Sequence, residues 1–256
     1  MPNNKFWNFK ASEGKTGELF LYGEISSSTW FDDDVTPKQF KADLDALGDI
    51  SELKIYINSG GGDVFAGQAI YSMLKRHGAK KTVYIDGLAA SIASVIAMAG
   101  DKVIMPANAM LMIHNAWTIA AGSASYFRKL ADDMDKIDES IQGVYVAKTG
   151  KKAEEIAELM DAETWMSAED AVNNGFADEI EAEKRIAASM DGDFLMLNGQ
   201  KFSLERYKNK PKIEEYEPES PQNEPDNGGE SQPVADTREH FTALRKKILK
   251  AYEEEK

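Results

Sequence analysis

The chain has 256 residues and no cysteine, and its 30 Lys and Arg face 44 Asp and Glu, a formal charge of −14. Lack of cysteine excludes a disulfide framework, a thiolate zinc site and a cysteine nucleophile, so chemistry falls to Ser, Thr, His, Asp, Glu, Lys and Tyr. Separately, no metal or cofactor is expected. The acidic balance argues against nucleic acid or an anionic membrane as partner, since both reward clustered Lys and Arg. Residues 103–127 carry no charge apart from His114, but they include Pro106, Asn108, Asn115 and Gly122 and read as buried core instead of a membrane span. Residues 1–10 mix Asn, Lys and aromatics, unlike a secretion signal, and a cytoplasmic location is expected.

Residues 18–25 predict a strand, with Leu19, Leu21 and Tyr22 before Gly23. Thr36 then caps a helix that has Pro37 at its first position and Gln39 completing a capping box. Phe40, Leu44 and Leu47 form its apolar face and Gly48 its stop. Residues 53–58 predict a strand and 60–62 a glycine turn. Residues 64–77 predict a helix with Phe65, Ile70, Met73 and Leu74 inward. A strand over 82–86, a buried small-residue helix over 89–99 and strands over 102–105 and 110–114 follow. Ser123 caps a long helix with Phe127, Leu130, Met134, Ile137, Ile141 and Val144 on one face, and a shorter helix lies around 154–160. Ser167 and Asp170 cap a helix stopping at Gly175, before a strand over 176–180. This alternation predicts an α/β domain over residues 1–182.

Beyond it, residues 183–210 predict a β-hairpin extension turned at Asn198-Gly199. Pro211, Pro218, Pro221, Pro225 and Pro233 then fall in one window where acids from Glu217 to Asp236 face no Lys or Arg, which predicts a disordered acidic linker over 211–237. Phe241, Leu244, Ile248 and Tyr252 give residues 238–256 the stripe of a terminal amphipathic helix, suited to recruitment or assembly.

Of the three histidines, His77 sits in a helix end and His240 in the tail, whereas His114 ends an apolar strand, where sites of α/β folds collect. The glycine turn at 58–63 follows a strand and opens a helix, a setting for holding an anion on free N–H groups. It is not a dinucleotide fingerprint, because Phe65 stands at the third glycine position, nor a nucleoside-triphosphate loop, because Gln68 and Ala69 replace the Lys and Ser or Thr. Ser91, in Gly87-Leu88-Ala89-Ala90-Ser91, sits where a strand enters a helix, outside any Gly-x-Ser-x-Gly motif. A serine, an imidazole and N–H donors are the parts an acyl-transfer site needs. The carboxylate that would orient the imidazole stays open among several acids.

In order, Asn58 to Gly62, Gly87 to Ser91, Met112-Ile113-His114 and the segment from Thr164 through Asp178 resemble four motifs of the ClpP serine proteases, over about residues 18–182. The resemblance implies a ClpP/crotonase-like fold of repeated β-β-α units and a serine endopeptidase acting through an acyl-enzyme. It implies Ser91 as nucleophile, His114 as base and the N–H groups of Gly62 and Ile92 as oxyanion hole. The slot of the triad acid, four residues before Ser167, holds Glu163 where the family typically has aspartate, with Asp161 as the alternative. Gly60 stands where the family usually has proline, which loosens the turn. Protein or peptide substrates, a homo-oligomeric ring (a heptamer or stacked rings) and an ATP-driven unfoldase are the implied partners. The Trp-containing start and the appended tail look more like the phage and prophage branch, often head-maturation proteases, which implies a capsid or scaffold protein as substrate in a bacterial host cytoplasm. A crotonase-type acyl-CoA enzyme and a non-catalytic scaffold on this fold are the competing readings.

Overall fold

The computed structural model describes residues 5–12, 14–26, 36–181, 188–191, 193–197, 200–205 and 207–210. The expected Asn198-Gly199 turn, the acidic linker and the terminal helix lie outside them.

The first strands, β1 (Trp7–Ala11) and β2 (Thr16–Tyr22), pair antiparallel. β1 is an addition to the sequence reading, and it carries Trp7 into the core beneath Phe40. Helix α1 (Pro37–Asp45) starts as expected, with the Thr36 hydroxyl accepting from the Gln39 N–H. The other half of the capping box does not form, because the Gln39 amide donates to Asp43 instead. β3 (Glu52–Ser59) runs parallel to β2 and leads through the glycine turn into α2 (Val64–Arg76), capped by Asp63.

On α2, Ile70 and Leu74 are buried and Met73 is partly so, but Phe65 is 67% exposed, contrary to expectation. The buried stripe runs one position over, through Ala66 and Gly67, and a Cβ on Gly67 would stand 2.2 Å from an Ile92 side-chain carbon. Close helix contact, not side-chain size, decides which face turns inward.

β4 (Lys80–Ala90) is longer than expected, and the helix read at 89–99 shortens to α3 (Ile92–Ala97) because Ala89 and Ala90 remain in the strand. β5 (Lys102–Pro106) and β6 (Met110–Ile113) follow, then α4 (Ala124–Thr149), capped by Ser123 and closed by Gly150 in the left-handed conformation. Ile141 and Tyr145 are the buried residues of α4, whereas Phe127 is exposed. α5 (Ala153–Asp161), β7 (Thr164–Ser167), α6 (Ala168–Asn173) with its Ser167–Asp170 capping box, and β8 (Glu179–Glu181) complete the domain. The extension forms a three-stranded antiparallel sheet of β9 (Ala188–Asp191), β10 (Phe194–Leu197) and β11 (Gln200–Ser203).

The main sheet runs β1-β2-β3-β4-β5-β8, with β6 branching off to pair with β4 and β7. β4 changes neighbours along its length, pairing with β5 at 82–84 and with β6 at 88–90. The change accompanies a register shift against β3 between Ile57 and Ser59. This departure splits the sheet, and the ends of β4 and β6 lie side by side at the split.

Candidate active site

Parallel pairing of Leu88, Ala89 and Ala90 with Met110, Leu111 and Met112 carries two strands out of the core in step. One ends in Ser91 and the other in His114. The Ser91 N–H donates to the Met112 carbonyl at 2.9 Å, and His114 Nε2 lies 2.8 Å from Ser91 Oγ. Ser91 has φ of 56°, a conformation that costs a non-glycine residue of order 1–3 kcal/mol and that surrounding contacts must hold. Part of that hold comes from behind. The Ser94 hydroxyl donates to the Ser91 carbonyl at 2.6 Å, so its contact with the Tyr145 hydroxyl at 2.8 Å has Tyr145 as donor. Burial pushes the Tyr145 phenol far up, which keeps that donor protonated. Ile92 opens α3, so its N–H has no carbonyl one turn back.

The glycine turn is pressed against this serine. A Cβ on Gly61 would lie 2.7 Å from Ser91 Cβ and 2.8 Å from the Ala90 carbonyl, and one on Gly62 would lie 1.9 Å from the Ile25 carbonyl. Both residues have positive φ, 90° and 150°, so glycine is demanded by space and by backbone. Ile25 grips the turn from its far side. Its N–H donates to the Gly61 carbonyl at 2.9 Å and its carbonyl accepts from the Asp63 N–H at 2.7 Å. In a trans peptide the carbonyl and the following N–H point opposite ways. With the Gly61 carbonyl turned to Ile25, the Gly62 N–H is directed away from it.

Glu163 and Asp161 go to different partners. The antiparallel register of β6 and β7 ends on the pair Ile113 and Thr164, so His114 and Glu163 adjoin the same end of this strand pair. Glu163 is 9% exposed with φ of 49°, a second non-glycine residue in the left-handed region. Its carboxylate accepts the main-chain N–H groups of Asn209 at 2.7 Å and Lys208 at 3.1 Å. Asp161 accepts from the Asn115 side chain at 2.6 Å. Ser91 and His114 are therefore brought together, while among the described residues Asp161 bonds Asn115 and Glu163 bonds the N–H groups of Lys208 and Asn209.

Sequence reasoning missed the segment that Glu163 holds. Tyr207 is 3% exposed and sits edge-on to His114 at 5.5 Å and to Trp165 at 5.6 Å, and its hydroxyl donates to the Gly60 carbonyl at 2.7 Å. Leu195, Phe202, Leu204 and Tyr207 pack with Leu88, Ala90 and Met112, so the extension lies on the strand ends that bear the site. An aromatic residue after a hairpin has no motif to mark it. A cleft of about 660 Å³ opens between the glycine turn and the extension, lined by Tyr22, Gly60, Gly61, Phe202 and Ser203 among others.

Among the described residues no helix is long and apolar enough to cross a membrane. The sequence profile of the Clp protease family matches residues 15–184. Similar curated proteins include the ATP-dependent Clp protease proteolytic subunit of Porphyromonas gingivalis, 30% identical over 154 residues that cover 58% of this chain and 69% of that one. The protein of the same name from Pleurastrum terricola is 33% identical over 143 residues, covering 55% of this chain and 73% of its own length. With about two thirds of its length matched by the family profile, the chain belongs to the Clp protease family of peptidases.

Proposed function

We propose that this peptidase cleaves peptide bonds with Ser91 as nucleophile and His114 as general base. The observation that carries the reading is the 2.8 Å contact between His114 Nε2 and the hydroxyl of a backbone-strained serine. As Ser91 Oγ bonds to the scissile carbonyl carbon, its proton passes to His114 and the carbonyl oxygen becomes an oxyanion between the N–H groups of Gly62 and Ile92. Collapse breaks the C–N bond, and the imidazolium gives its proton to the departing amine. Water, deprotonated by His114, then releases the acyl group and restores the serine. Glu163 is the favoured third member, because it immediately precedes Thr164, the partner of Ile113 next to His114. Each of its oxygens accepts one N–H and keeps a second acceptor site, so it can take the imidazole N–H while holding residues 208 and 209. The cleft beside the glycine turn is the place for an extended peptide.

Relatives named as proteolytic subunits of an ATP-dependent protease support protein substrates, ring assembly and an ATP-driven unfoldase as partner for this chain too. The appended extension favours the phage-type reading, with a capsid or scaffold protein as substrate. Crotonase-type acyl-CoA chemistry has no use for the serine–imidazole pair.

The test is a fluorophosphonate probe on the folded full-length protein, with adduct mapping by mass spectrometry. The expected result is one adduct on Ser91, absent in Ser91→Ala, together with loss of cleavage of a candidate capsid or scaffold protein by that variant. An unreactive Ser91 beside a reactive control hydrolase would favour the non-catalytic scaffold.

A further inference from the structure

The family match ends at residue 184, yet the wall of the cleft is built in part by residues beyond it. Resting on the serine-protease reading above, we infer that Tyr207 is a positioning residue that fixes the glycine turn and the imidazole from outside the family domain.

Three consecutive glycines, Gly60, Gly61 and Gly62, have no side chain to lock the turn that must present an N–H to the oxyanion. Hydrogen bonds therefore have to fix its peptide planes. The plane between Gly61 and Gly62 is held by Ile25. The plane before it is held at both ends: its N–H, on Gly61, donates to Ser59 Oγ at 3.1 Å, and its carbonyl, on Gly60, accepts from the Tyr207 hydroxyl at 2.7 Å. Ser59 is itself fixed, since its hydroxyl donates to the Gly23 carbonyl at 2.6 Å. Tyr207 tethers this turn from the extension, at the residue where a ring constraint is lacking.

The same side chain meets His114. Its ring presents an edge contact at 5.5 Å and an interplanar angle of 71°, limiting the swing of an imidazole that must stay on Ser91 Oγ. Tyr207 is in turn held by its neighbours. Glu163 takes the N–H groups of Lys208 and Asn209, the Asn209 amide donates to the Ala162 carbonyl at 2.7 Å, and Trp165 closes the other side of the ring. One short segment thus couples Glu163, His114 and the glycine turn. Reacting groups displaced by about 1 Å can lose about 100-fold in rate, which is the scale on which such tethers act.

The experiment compares wild type, Tyr207→Phe and Tyr207→Leu as full-length protein. It measures the second-order rate of fluorophosphonate labelling at Ser91, kcat and KM for p-nitrophenyl acetate, and the thermal unfolding midpoint. Tyr207→Phe keeps the ring against His114 and loses the bond to Gly60. It is expected to lower kcat and the labelling rate about five- to tenfold, the worth of one hydrogen bond, with KM within about twofold and the midpoint lowered by no more than a few degrees, so that the protein stays folded under assay. Tyr207→Leu loses the ring as well and is expected to fall further. Tyr207→Phe with wild-type rates overturns the inference, and so does a faster variant, which would make the segment a shield over the site. A wild-type protein that does not label at Ser91 strikes the serine-protease reading instead.

Discussion

Asp161 and Glu163 stand two positions apart, and their carboxylates take different partners. Asp161 is tied to an exposed amide of Asn115, a contact of the kind that contributes little in water. Glu163 is buried and backbone-strained, costs that its bonds to two main-chain donors help to offset. Glu163→Gln keeps the shape but removes the charge that would stabilise an imidazolium. Its labelling and ester hydrolysis are expected to drop by about 100-fold or more, with Asp161→Asn within about threefold. The reverse order would move the triad to Asp161. Because Glu163 also anchors Tyr207, the double variant with Tyr207→Phe separates two routes. Multiplying losses mean independent roles, while a loss no greater than that of Glu163→Gln alone means that Glu163 works through the segment.

At the scale of elements, Asp43 on α1 ties down the first strand. It accepts from the Lys5 ammonium, the Trp7 indole and the Gln39 amide at 2.8 to 2.9 Å. Burial, the largest influence, pushes its carboxyl up, but the three donors together outweigh it and hold the group below 3.8. A carboxyl depressed in the folded state stabilises it above the unfolded value and loses that contribution as pH falls through the folded one. The urea midpoint of wild type is therefore expected to exceed that of Asp43→Asn at neutral pH. The gap should close below about pH 3.8, and a gap indifferent to pH would rule this linkage out. The role of Asp43 is not legible in the sequence, because Lys5 and Trp7 lie 38 and 36 residues away, and neither is β1, though it pairs with the adjacent β2. Where signals are local, the sequence sufficed: Thr36 with Pro37, Ser123, and Ser167 with Asp170 all start helices where read. It misled where packing overrides size, as at Phe65 against Ala66 and Gly67, or where a strand outlasts its apolar run, as β4 does through Ala90. At the site, Ser91 and His114 were legible because strand ends mark themselves. Tyr207 was not, since nothing local says that a residue following a hairpin returns over Gly60.

At the scale of the molecule, α4 joins the strand ends that bear Ser91 and His114 to a surface with exposed large apolar side chains. Asp138 on α4 accepts the Ala116 N–H at 2.7 Å, two residues beyond His114, and Tyr145 reaches Ser91 through Ser94. The first half of the same helix is exposed, with Tyr126 and Phe127 at 47% and 46%, and the preceding loop adds Trp117 at 49% and Ile119 at 88%. Large apolar groups gathered on one helix and its lead-in are the mark of a protein interface. Ring assembly of the kind proposed here would bury them and steady the helix that braces both Ser91 and the His114 strand end. In sedimentation at micromolar concentration the wild type is expected to run as an oligomer. The double variant Ile119→Asp, Phe127→Asp should run as a smaller species with unchanged helix content. Fluorophosphonate labelling of Ser91, measured on the same samples, is expected to fall by about tenfold or more in the dissociated form, because α4 then loses the neighbour that holds it. A dissociated variant that labels at the wild-type rate would mean that each chain carries a complete site, and a monomeric wild type would remove assembly from the mechanism altogether.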